Sequence, residues 1–321
     1  MKDTPITEAT PLTVVTLSRD GYDIKRAMSK AHEPRLNLVR PDEVEDPLAV
    51  TCALVWAPED DAFERFPNVR MVSSIAAGVD SIFACPSLPA STTVTRIRDD
   101  EQARQMAGFA AWHVIWHHRK MGEFLKAQEE KRWAYSHSTD MPSQVPVGIL
   151  GFGLMGRQTA RALVAMGYPV MAACRSEKDP EPGVEIVVGE DAVEQVAARS
   201  RILVNLLPLT EDTRDVLNAD LFAKLPKGAA LVQIGRGEHM VEEDFLAALE
   251  AGQIGSATLD VFRQEPLPAD HVFWTLPNVL VTPHKASDTT RREVLRQVVE
   301  NYIALSEGKV PPGAVDRSVG Y

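Results

Sequence analysis

The sequence of 321 residues predicts an α/β protein, with a length typical of two ordinary domains. Short runs rich in β-branched residues recur along the chain, and stretches with helical spacing of apolar residues separate them. Strands that alternate with helices in this way usually form parallel sheets covered by helices. Apolar residues make up 45% of the chain and charged residues 25%, a composition typical of soluble proteins with buried cores.

The first hundred residues predict a small parallel sheet, with its strands at residues 12–17, 36–40, 53–56 and 69–75. One long helix is predicted over residues 100–126, which contain no proline and carry apolar side chains at helical spacing. His118 is expected on the solvated side of this helix. The polar residues 133–146, which include two prolines, predict a linker.

From Val147 onwards the alternation of strands and helices is clear. Strands are predicted at residues 147–150, 169–174, 202–206, 230–234, 256–261 and 279–281. Helices are predicted at residues 156–166, 241–251 and 289–307. Ser287 and Asp288 are the expected N-caps of the last helix.

A Gly-x-Gly-x-x-Gly motif directly follows the strand at 147–150 and opens a helix. Gly151 allows a tight turn, Gly153 lets the backbone approach a pyrophosphate, and Gly156 lets helix and strand pack closely. Backbone N–H groups at the helix start, around Leu154 and Met155, would bind the phosphates. A glycine-rich turn without a ligand is the alternative, but the surrounding strand–helix–strand order favours a Rossmann-type dinucleotide site.

The end of the next strand indicates which dinucleotide is bound. Enzymes that use NAD usually place Asp or Glu there, to hold the ribose 2′-hydroxyl. Here Arg175 could bind a 2′-phosphate through its planar fork, Ser176 could donate to it, and Lys178 could add charge. NADP(H) is therefore preferred and NAD(H) stays possible, since Glu177 is close and Arg175 could be a solvated strand-end residue.

Three later strand ends carry ionisable side chains that suit the reduction of a 2-keto acid. Ligands of open α/β sheets bind beyond the carboxyl ends of the strands, where all three emerge. Arg236 could bind the substrate carboxylate and polarise the keto oxygen. His284 could donate a proton as hydride arrives, and Glu265 could orient the imidazole. Taken singly, Arg236 could equally form a surface ion pair, Glu265 start a turn and His284 cap a strand.

Together these segments resemble the D-isomer-specific 2-hydroxyacid dehydrogenases, most of all the glyoxylate/hydroxypyruvate reductase A group. The motifs that carry the resemblance occur in sequence order: residues 76–80 (Ala-Ala-Gly-Val-Asp), the glycine loop, Arg175-Ser176, residues 205–210, Arg236-Gly237, residues 260–268 and Thr282-Pro283-His284. They extend over nearly the whole chain.

The resemblance implies a Rossmann-type dinucleotide-binding domain plus a smaller, flavodoxin-like α/β substrate domain that is discontinuous in sequence. Residues 1–99 and 288–321 would form the substrate domain. Residues 100–287 would form the NAD(P)-binding domain, whose long helix and following arm would mediate a homodimer.

The resemblance also implies roles for particular residues. Arg236, Glu265 and His284 would be the catalytic set, and backbone amides around Ala77, Gly78 and Val79 would hold the substrate carboxylate. The cofactor would contact Asp260, Leu207, Pro208 and Ile234, with Asp260 hydrogen-bonded to the nicotinamide carboxamide. Without the resemblance, Asp260 would be interpreted as a capping carboxylate.

Two tryptophans and three departures from the family pattern bear on the substrate. Trp56 would line the substrate pocket or belong to the core. Trp133, on the arm, would reach into the partner's active site or anchor the arm to its own subunit. Gln233 replaces a frequent asparagine, and Gly235 replaces a small alanine or serine. Lys285 stands where an apolar residue is usual. Its positive charge could disfavour a protonated His284 or add a contact to an anion, or its side chain could point away from the site.

Composition excludes several other classes of protein. The net charge of −11 argues against non-specific nucleic-acid binding. No apolar stretch is long enough for a membrane span, and no secretion signal is recognisable, so a cytoplasmic protein is expected. The three cysteines are far apart, and His113 and His117, one helical turn apart, have no evident third ligand. Neither a disulfide framework nor a metal site is expected.

The favoured function is NADPH-dependent reduction of small 2-keto acids, such as glyoxylate or hydroxypyruvate, to 2-hydroxy acids, with His284 as the general acid. One alternative is an NAD-dependent dehydrogenase of a larger D-2-hydroxy acid. Another is a dinucleotide-sensing, corepressor-like binding protein, which the acidic balance and the lack of an added tail disfavour.

Overall fold

A computed structural model describes residues 6–19, 21–134, 140–318 and 320. It divides into two compact units, each of which has its own sheet. The first unit consists of Met1–Asp99 and Thr289–Tyr321, and the second of Asp100–Asp288. The second unit therefore ends one residue after the boundary expected from the sequence.

The strands found within the described residues are β1 (Leu12–Ser18), β2 (Leu36–Val39), β3 (Cys52–Trp56), β4 (Met71–Ser74), β5 (Thr93–Thr95), β6 (Val147–Leu150), β7 (Val170–Cys174), β8 (Val184–Val188), β9 (Ile202–Asn205), β10 (Ala229–Gln233), β11 (Ile254–Leu259) and β12 (Val279–Val281). The α-helices of the same residues are α1 (Ile24–Met28), α2 (Asp80–Phe83), α3 (Asp100–His118), α4 (Met121–Glu129), α5 (Leu154–Ala165), α6 (Ala192–Ala197), α7 (Ala219–Lys224), α8 (Glu242–Glu250) and α9 (Arg291–Ser306).

In the first unit the described strands form a parallel sheet in the order β2-β1-β3-β4-β5. This is the flavodoxin-like order of doubly wound sheets. Its inner strands are buried almost completely, which is why they read as apolar runs in the sequence. Strand β5 was not predicted, because its three residues, Thr93–Thr95, are too short a run to stand out.

In the second unit the described strands form a parallel sheet in the order β12-β11-β10-β9-β6-β7-β8. Strands β6 and β9 are neighbours, and the chain winds outward from them in opposite directions, so the strand order reverses between them. This is the Rossmann arrangement, whose ligands bind at the carboxyl ends beside the reversal. The edge strand β8 was not predicted; three of its residues are partly buried and two are exposed.

The register of this sheet aligns the strand ends that matter for function. Asn205 pairs with Gln233, Gln233 pairs with Leu259, and Leu259 pairs with Val281. The segments that begin at Leu206, Ile234, Asp260 and Thr282 therefore leave the sheet at one level of one edge. Residues from four distant places in the chain meet there for this reason.

Helices cover both faces of this sheet. On one face, Phe222, Phe245 and Phe273 are fully buried, and Phe245 contacts the other two rings edge to face. On the other face, α3 and α5 pack through alanines and leucines, including Ala110, Ala160 and Leu163. Complete burial of a large apolar side chain contributes about 1.5–3 kcal/mol, so these two layers hold the strand ends in place.

The single helix predicted over residues 100–126 is wrong. Helix α3 ends at His118, and α4 begins at Met121 after Lys120, which has a left-handed backbone (φ 51°). His118 is also buried rather than solvated, and its Nδ1 lies 2.8 Å from the Tyr168 hydroxyl and its Nε2 2.9 Å from the Asp140 carbonyl. These long-range partners hold the end of α3 inward, and helical spacing alone could not reveal them.

The predicted caps of the last helix are also wrong. Helix α9 begins at Arg291, and the Thr290 hydroxyl accepts a hydrogen bond from the Glu293 N–H at 3.2 Å. Ser287 and Asp288 were plausible by residue type, but they precede the true cap, Thr290, by three and two residues. Within the residues that the structure describes, no helix is both long and apolar enough to cross a bilayer.

Candidate active site

The glycine loop follows β6 and leads into α5. Gly151 has a φ of +93°, and a Cβ there would lie 2.8 Å from the Leu206 carbonyl oxygen. A Cβ on Gly156 would lie 2.0 Å from the Gly151 carbonyl oxygen, so this glycine is required for close packing of the helix start on the loop. A Cβ on Gly153 would meet nothing within 4 Å. The outer side of the loop is therefore open to a ligand, and the N–H groups of Leu154 and Met155 begin the helix beside it.

The residues expected to select the dinucleotide follow β7 and are exposed: Arg175, Ser176 and Lys178, together with Glu177. The Arg175 guanidinium lies 3.1 Å from the Asp212 carboxylate, and both side chains are more than half exposed. Exposed pairs of this kind contribute little stability, so the guanidinium can exchange this partner for a phosphate.

His284 and Glu265 are in direct contact. The imidazole Nδ1 lies 2.8 Å from Glu265 Oε2, while Glu265 Oε1 accepts the Phe262 N–H at 2.9 Å. Burial by itself raises the pKa of the Glu265 carboxyl, but the hydrogen bonds from His284 and Phe262 and the charge of Arg236 outweigh it and lower that pKa. A carboxylate that stays ionised favours a proton on the ring nitrogen that it faces. The ring's Nε2 is the nitrogen directed away from Glu265.

Backbone contacts fix the position of the histidine. The His284 N–H donates to the Asp260 carbonyl at 2.7 Å, and His284 adopts a left-handed backbone (φ 52°). The Asp260 side chain is buried, and it accepts hydrogen bonds from the Thr282 hydroxyl (2.6 Å) and from the N–H groups of Lys285 (2.9 Å) and Ala286 (3.0 Å). The structure thus places Asp260 as a capping carboxylate of the histidine turn, one of the two roles considered from the sequence.

Arg236 follows β10 and is partly buried. Its Nη1 donates to the Gly235 carbonyl at 2.9 Å, and its charge acts on Glu265. Gly237, next in the chain, has no room for a side chain, because a Cβ there would lie 1.9 Å from the Phe262 carbonyl carbon. The Arg236 turn is therefore packed directly on the segment that carries Glu265.

The structure thus brings together the three residues expected to be catalytic. The two expected cofactor contacts after β9, Leu207 and Pro208, are half-buried at the same edge of the sheet. Ile234 is almost fully buried, within the apolar layer that α3 and α5 cover. Lys285 points its ammonium at Asp288, 3.5 Å away, and both side chains are mostly exposed.

The residues that were expected to contact the substrate lie in the first unit or on the arm that follows α4. Trp56 ends β3 and is 37% exposed, which argues against a core role. Ala77 and Gly78 are partly buried and Val79 is buried, in a turn where Ser74 Oγ donates to the Gly78 carbonyl at 2.8 Å.

Trp133 follows α4 and is 88% exposed, so it packs little against its own subunit. The arm continues into residues 135–139, which lie outside the described residues.

His113 and His117 both contact other groups of the protein. His117 contacts the Thr258 hydroxyl through Nε2 (2.9 Å) and the Ser256 hydroxyl through Nδ1 (2.8 Å). Burial, and then the nearby His113, lower the pKa of His117 to about 3, so its ring stays neutral. No cluster of His, Cys, Asp or Glu suited to a metal ion occurs in the part of the chain that the structure describes.

A family model described as "D-isomer specific 2-hydroxyacid dehydrogenase, NAD binding domain" matches residues 111–286. The chain belongs to the D-isomer specific 2-hydroxyacid dehydrogenase family. The matched range lies within the second unit, which is the NAD-binding unit of this dehydrogenase. The enzyme is an oxidoreductase that uses a nicotinamide dinucleotide.

Individual relatives of this dehydrogenase agree with the family model. A glyoxylate/hydroxypyruvate reductase A of Serratia proteamaculans is 38% identical over 276 residues, which cover 84% of this chain and 87% of that protein. A solved D-isomer specific 2-hydroxyacid dehydrogenase of Xanthobacter autotrophicus Py2, in complex with NADPH and MES, has a TM-score of 0.88 at 37% identity, with 97% and 100% of the two chains covered.

A second solved relative of the dehydrogenase is the NADPH-dependent glyoxylate/hydroxypyruvate reductase of Sinorhizobium meliloti, in complex with NADP and sulfate. It has a TM-score of 0.88 at 32% identity and covers 97% of this chain and 100% of its own.

Proposed function

We propose that this dehydrogenase uses NADPH to reduce small 2-keto acids of the glyoxylate or hydroxypyruvate kind to 2-hydroxy acids. The observation that carries the proposal is the 2.8 Å contact between His284 and Glu265 at the sheet edge where Arg236 also emerges. The names of the relatives from Serratia proteamaculans and Sinorhizobium meliloti support the substrate class.

The dinucleotide would be held by the glycine loop and by the strand ends around it. Gly153, Leu154 and Met155 would receive the pyrophosphate, because the loop is open at Gly153 and the helix start presents N–H groups there. Arg175, Ser176 and Lys178 would bind the 2′-phosphate that distinguishes NADP from NAD. The NADPH and NADP complexes of the solved relatives support this preference.

The nicotinamide end would contact Leu207, Pro208, Ile234 and Asp260. The Asp260 carboxylate already accepts three hydrogen bonds from the histidine turn. Asp260 would therefore hold that turn in place and also hydrogen-bond the nicotinamide carboxamide. When bound, the reduced nicotinamide supplies the hydride.

His284 would act as the general acid. Glu265 faces Nδ1, so the proton for transfer would be carried on Nε2 and given to the keto oxygen as it gains negative charge. The Glu265 carboxylate faces Nδ1 and fixes the orientation of the ring. After transfer, Nδ1 keeps its proton toward Glu265, and Nε2 takes a new proton from solvent before the next turnover.

Arg236 would bind the substrate carboxylate and polarise the keto carbonyl, because a guanidinium matches a carboxylate with two parallel donors. The backbone amides of Ala77, Gly78 and Val79 would give the carboxylate further donors. Trp56 would restrict the size of the substrate side chain, which its partial exposure at the end of β3 permits.

The protein would work as a cytoplasmic homodimer. The exposed apolar side chains on α3 and α4 support the dimer, since Trp112 and Leu125 are each 50% exposed and Ile115 is 38% exposed. Trp133, at 88% exposure, would then reach into the partner's active site. Sedimentation velocity of the protein and of a Trp112→Glu variant tests the dimer, which the variant should weaken.

Steady-state NADPH oxidation with a panel of 2-keto acids tests the function. We expect turnover with glyoxylate and hydroxypyruvate, and little with keto acids that carry bulky side chains. Faster turnover with NADH and larger substrates would replace the proposal by an NAD-dependent dehydrogenase of a larger D-2-hydroxy acid. Tight NADPH binding without turnover of any keto acid would favour a dinucleotide sensor.

A further inference from the structure

A buried cluster of polar side chains lies directly behind the Arg236 turn. It consists of Asn205 at the end of β9, Gln233 at the end of β10, and His239 three residues after Arg236. All three side chains have no solvent exposure. Polar groups are costly to bury unless they are hydrogen-bonded, so the contacts they make define what the cluster does.

Gln233 holds the carbonyl side of the turn. Its Nε2 donates to the Arg236 carbonyl at 2.8 Å. Its Oε1 accepts from Asn205 Nδ2 at 2.8 Å and lies 3.4 Å from the Gly235 N–H. The Gln233 side chain therefore connects the end of β9 to the backbone of Arg236.

His239 holds the other side of the same residue. Its Nδ1 accepts the Arg236 backbone N–H at 3.1 Å and lies 2.9 Å from Asn205 Nδ2. Since a backbone N–H can only donate, Nδ1 carries no proton, and Nε2–H then donates to the Pro208 carbonyl at 3.2 Å. The ring is thereby fixed as one neutral tautomer.

Asn205 completes the cluster without an unmatched group. Its Oδ1 accepts the Leu207 N–H at 3.2 Å, which directs both amide hydrogens toward Gln233 and His239. The N–H and the C=O of Arg236 are thus both held by buried side chains, and its backbone is extended (φ −138°, ψ 148°).

The cluster also leaves little room for a side chain at Gly235. A Cβ on Gly235 would lie 2.9 Å from His239 Nδ1 and 3.0 Å from Asn205 Nδ2. These distances are tighter than ordinary contacts, so an alanine at this place would press on both side chains. Glycine at 235 therefore lets His239 and Asn205 keep their positions.

We infer that His239 and Gln233 are positioning residues, which set the backbone of Arg236 so that its guanidinium meets the substrate carboxylate. This inference rests on the proposed function for the identity of the substrate. Neither residue touches the reacting atoms. Their effect passes through Arg236, so loss of either contact should weaken the use of the keto acid while the dinucleotide binds normally.

Two substitutions of His239 separate this role from simple packing. His239→Asn keeps an acceptor at the place of Nδ1 and loses the contact to Pro208. His239→Gln keeps a polar group at the place of Nε2 and loses the acceptor for the Arg236 N–H. Both remove part of the ring, so any loss of packing should lower the melting temperature of the two variants similarly.

We expect His239→Gln to raise the keto acid KM about tenfold, the effect of one lost hydrogen bond, with the NADPH Kd within roughly twofold of the wild type. His239→Asn should stay within roughly threefold of the wild-type KM. Equal KM values for both variants, or a wild-type KM for His239→Gln, would overturn the inference. Gln233→Met, which loses the contact to the Arg236 carbonyl, replaces His239→Gln if that variant does not fold.

Crystal structures of the two His239 variants give a readout that does not depend on turnover. The inference requires Arg236 to be displaced in His239→Gln and to keep its place in His239→Asn. An unmoved Arg236 in both variants would contradict it. A wild-type protein that reduces no 2-keto acid would end the proposed function, but the position of Arg236 in these structures would still decide the inference.

Discussion

Nδ1 of His284 lies 2.8 Å from Oε2 of Glu265, and these residues come from segments after different strands, β12 and β11. The contact depends on sheet register, because Leu259 pairs with Val281 and the chain leaves both strands at one level. A histidine held in this way by a carboxylate has one ring nitrogen directed elsewhere, as a general acid requires.

Glu265→Gln should separate the orientation of His284 from the effect of the carboxylate charge. Glutamine keeps a hydrogen-bond acceptor toward Nδ1 and loses the negative charge. We expect turnover to fall moderately, because the ring loses the negative charge that faces Nδ1. Turnover rates of both proteins check this, and equal rates would argue against a role for the carboxylate charge.

The pKa of Glu265 itself predicts a trend in stability. Because the folded protein holds that pKa below the ordinary value of about 4.3, the charged carboxylate stabilises the fold above this pH, and the contribution is lost as pH falls through the lower, folded pKa. The difference in unfolding free energy between the wild type and Glu265→Gln should therefore shrink on acidification below about pH 4. A constant difference would show that the charge adds no stability.

Gly153 and Gly156 should respond differently to alanine. A Cβ at 156 would overlap the Gly151 carbonyl, so Gly156→Ala should cost about 1–3 kcal/mol of unfolding free energy. A Cβ at 153 meets no protein atom within 4 Å, so Gly153→Ala should fold normally but bind NADPH at least roughly tenfold more weakly.

Melting temperatures and NADPH titrations separate these two effects. Gly108→Ala, in α3 and also open to a Cβ, serves as the control for both measurements. Normal NADPH affinity in Gly153→Ala would reject the loop as the pyrophosphate site.

Arg175→Ala should weaken NADPH specifically. Loss of a charged hydrogen-bond partner of the 2′-phosphate should raise the NADPH KM about tenfold or more, with little change for NADH. Arg199→Ala is the matched control, because it removes another half-exposed arginine that is paired with a carboxylate, Glu185. Asp212→Asn should leave the NADPH KM unchanged or lower it, since it frees Arg175 from its acidic partner. An unchanged NADPH-to-NADH preference in Arg175→Ala would contradict the role of Arg175 as a partner of the 2′-phosphate.

His117 should make the fold sensitive to mild acid. Its folded pKa of about 3 lies below the unfolded value of about 6.5, so the unfolded chain binds the proton first and stability falls as pH drops through this window. The slope from this residue can reach about 1.4 kcal/mol per pH unit. His117→Gln should flatten the dependence between roughly pH 5 and 6.5, measured by chemical denaturation. Equal slopes in the two proteins would contradict a His117 ring that stays neutral in the folded protein.

The sequence predicted the fold of the second unit well, because the glycine motif and the buried strands give strong local signals. It also indicated Arg236, Glu265 and His284, since strand ends in parallel sheets share one edge. His239 and Asn205 were missed as members of a buried cluster, because their partners are distant in sequence. His239 follows Glu238 in the sequence, and a histidine at this place carries no local sign of such contacts.

Other differences have equally physical causes. The break in the helix at Lys120 depends on His118 reaching Tyr168 and the Asp140 carbonyl, neither of which is a neighbour in sequence. The start of α9 was misplaced because Ser287, Asp288 and Thr290 are all good caps by residue type, and only the backbone shows which one accepts the Glu293 N–H.

The most direct test of the whole account is the rate of NADPH consumption with glyoxylate and with hydroxypyruvate, in the wild type and in His284→Ala. The account predicts that the wild type turns over and that the variant is slower by about 100-fold or more, with unchanged NADPH affinity. His32→Ala, which removes an exposed histidine of the first unit, should behave as the wild type. Near-normal turnover in His284→Ala would contradict the account.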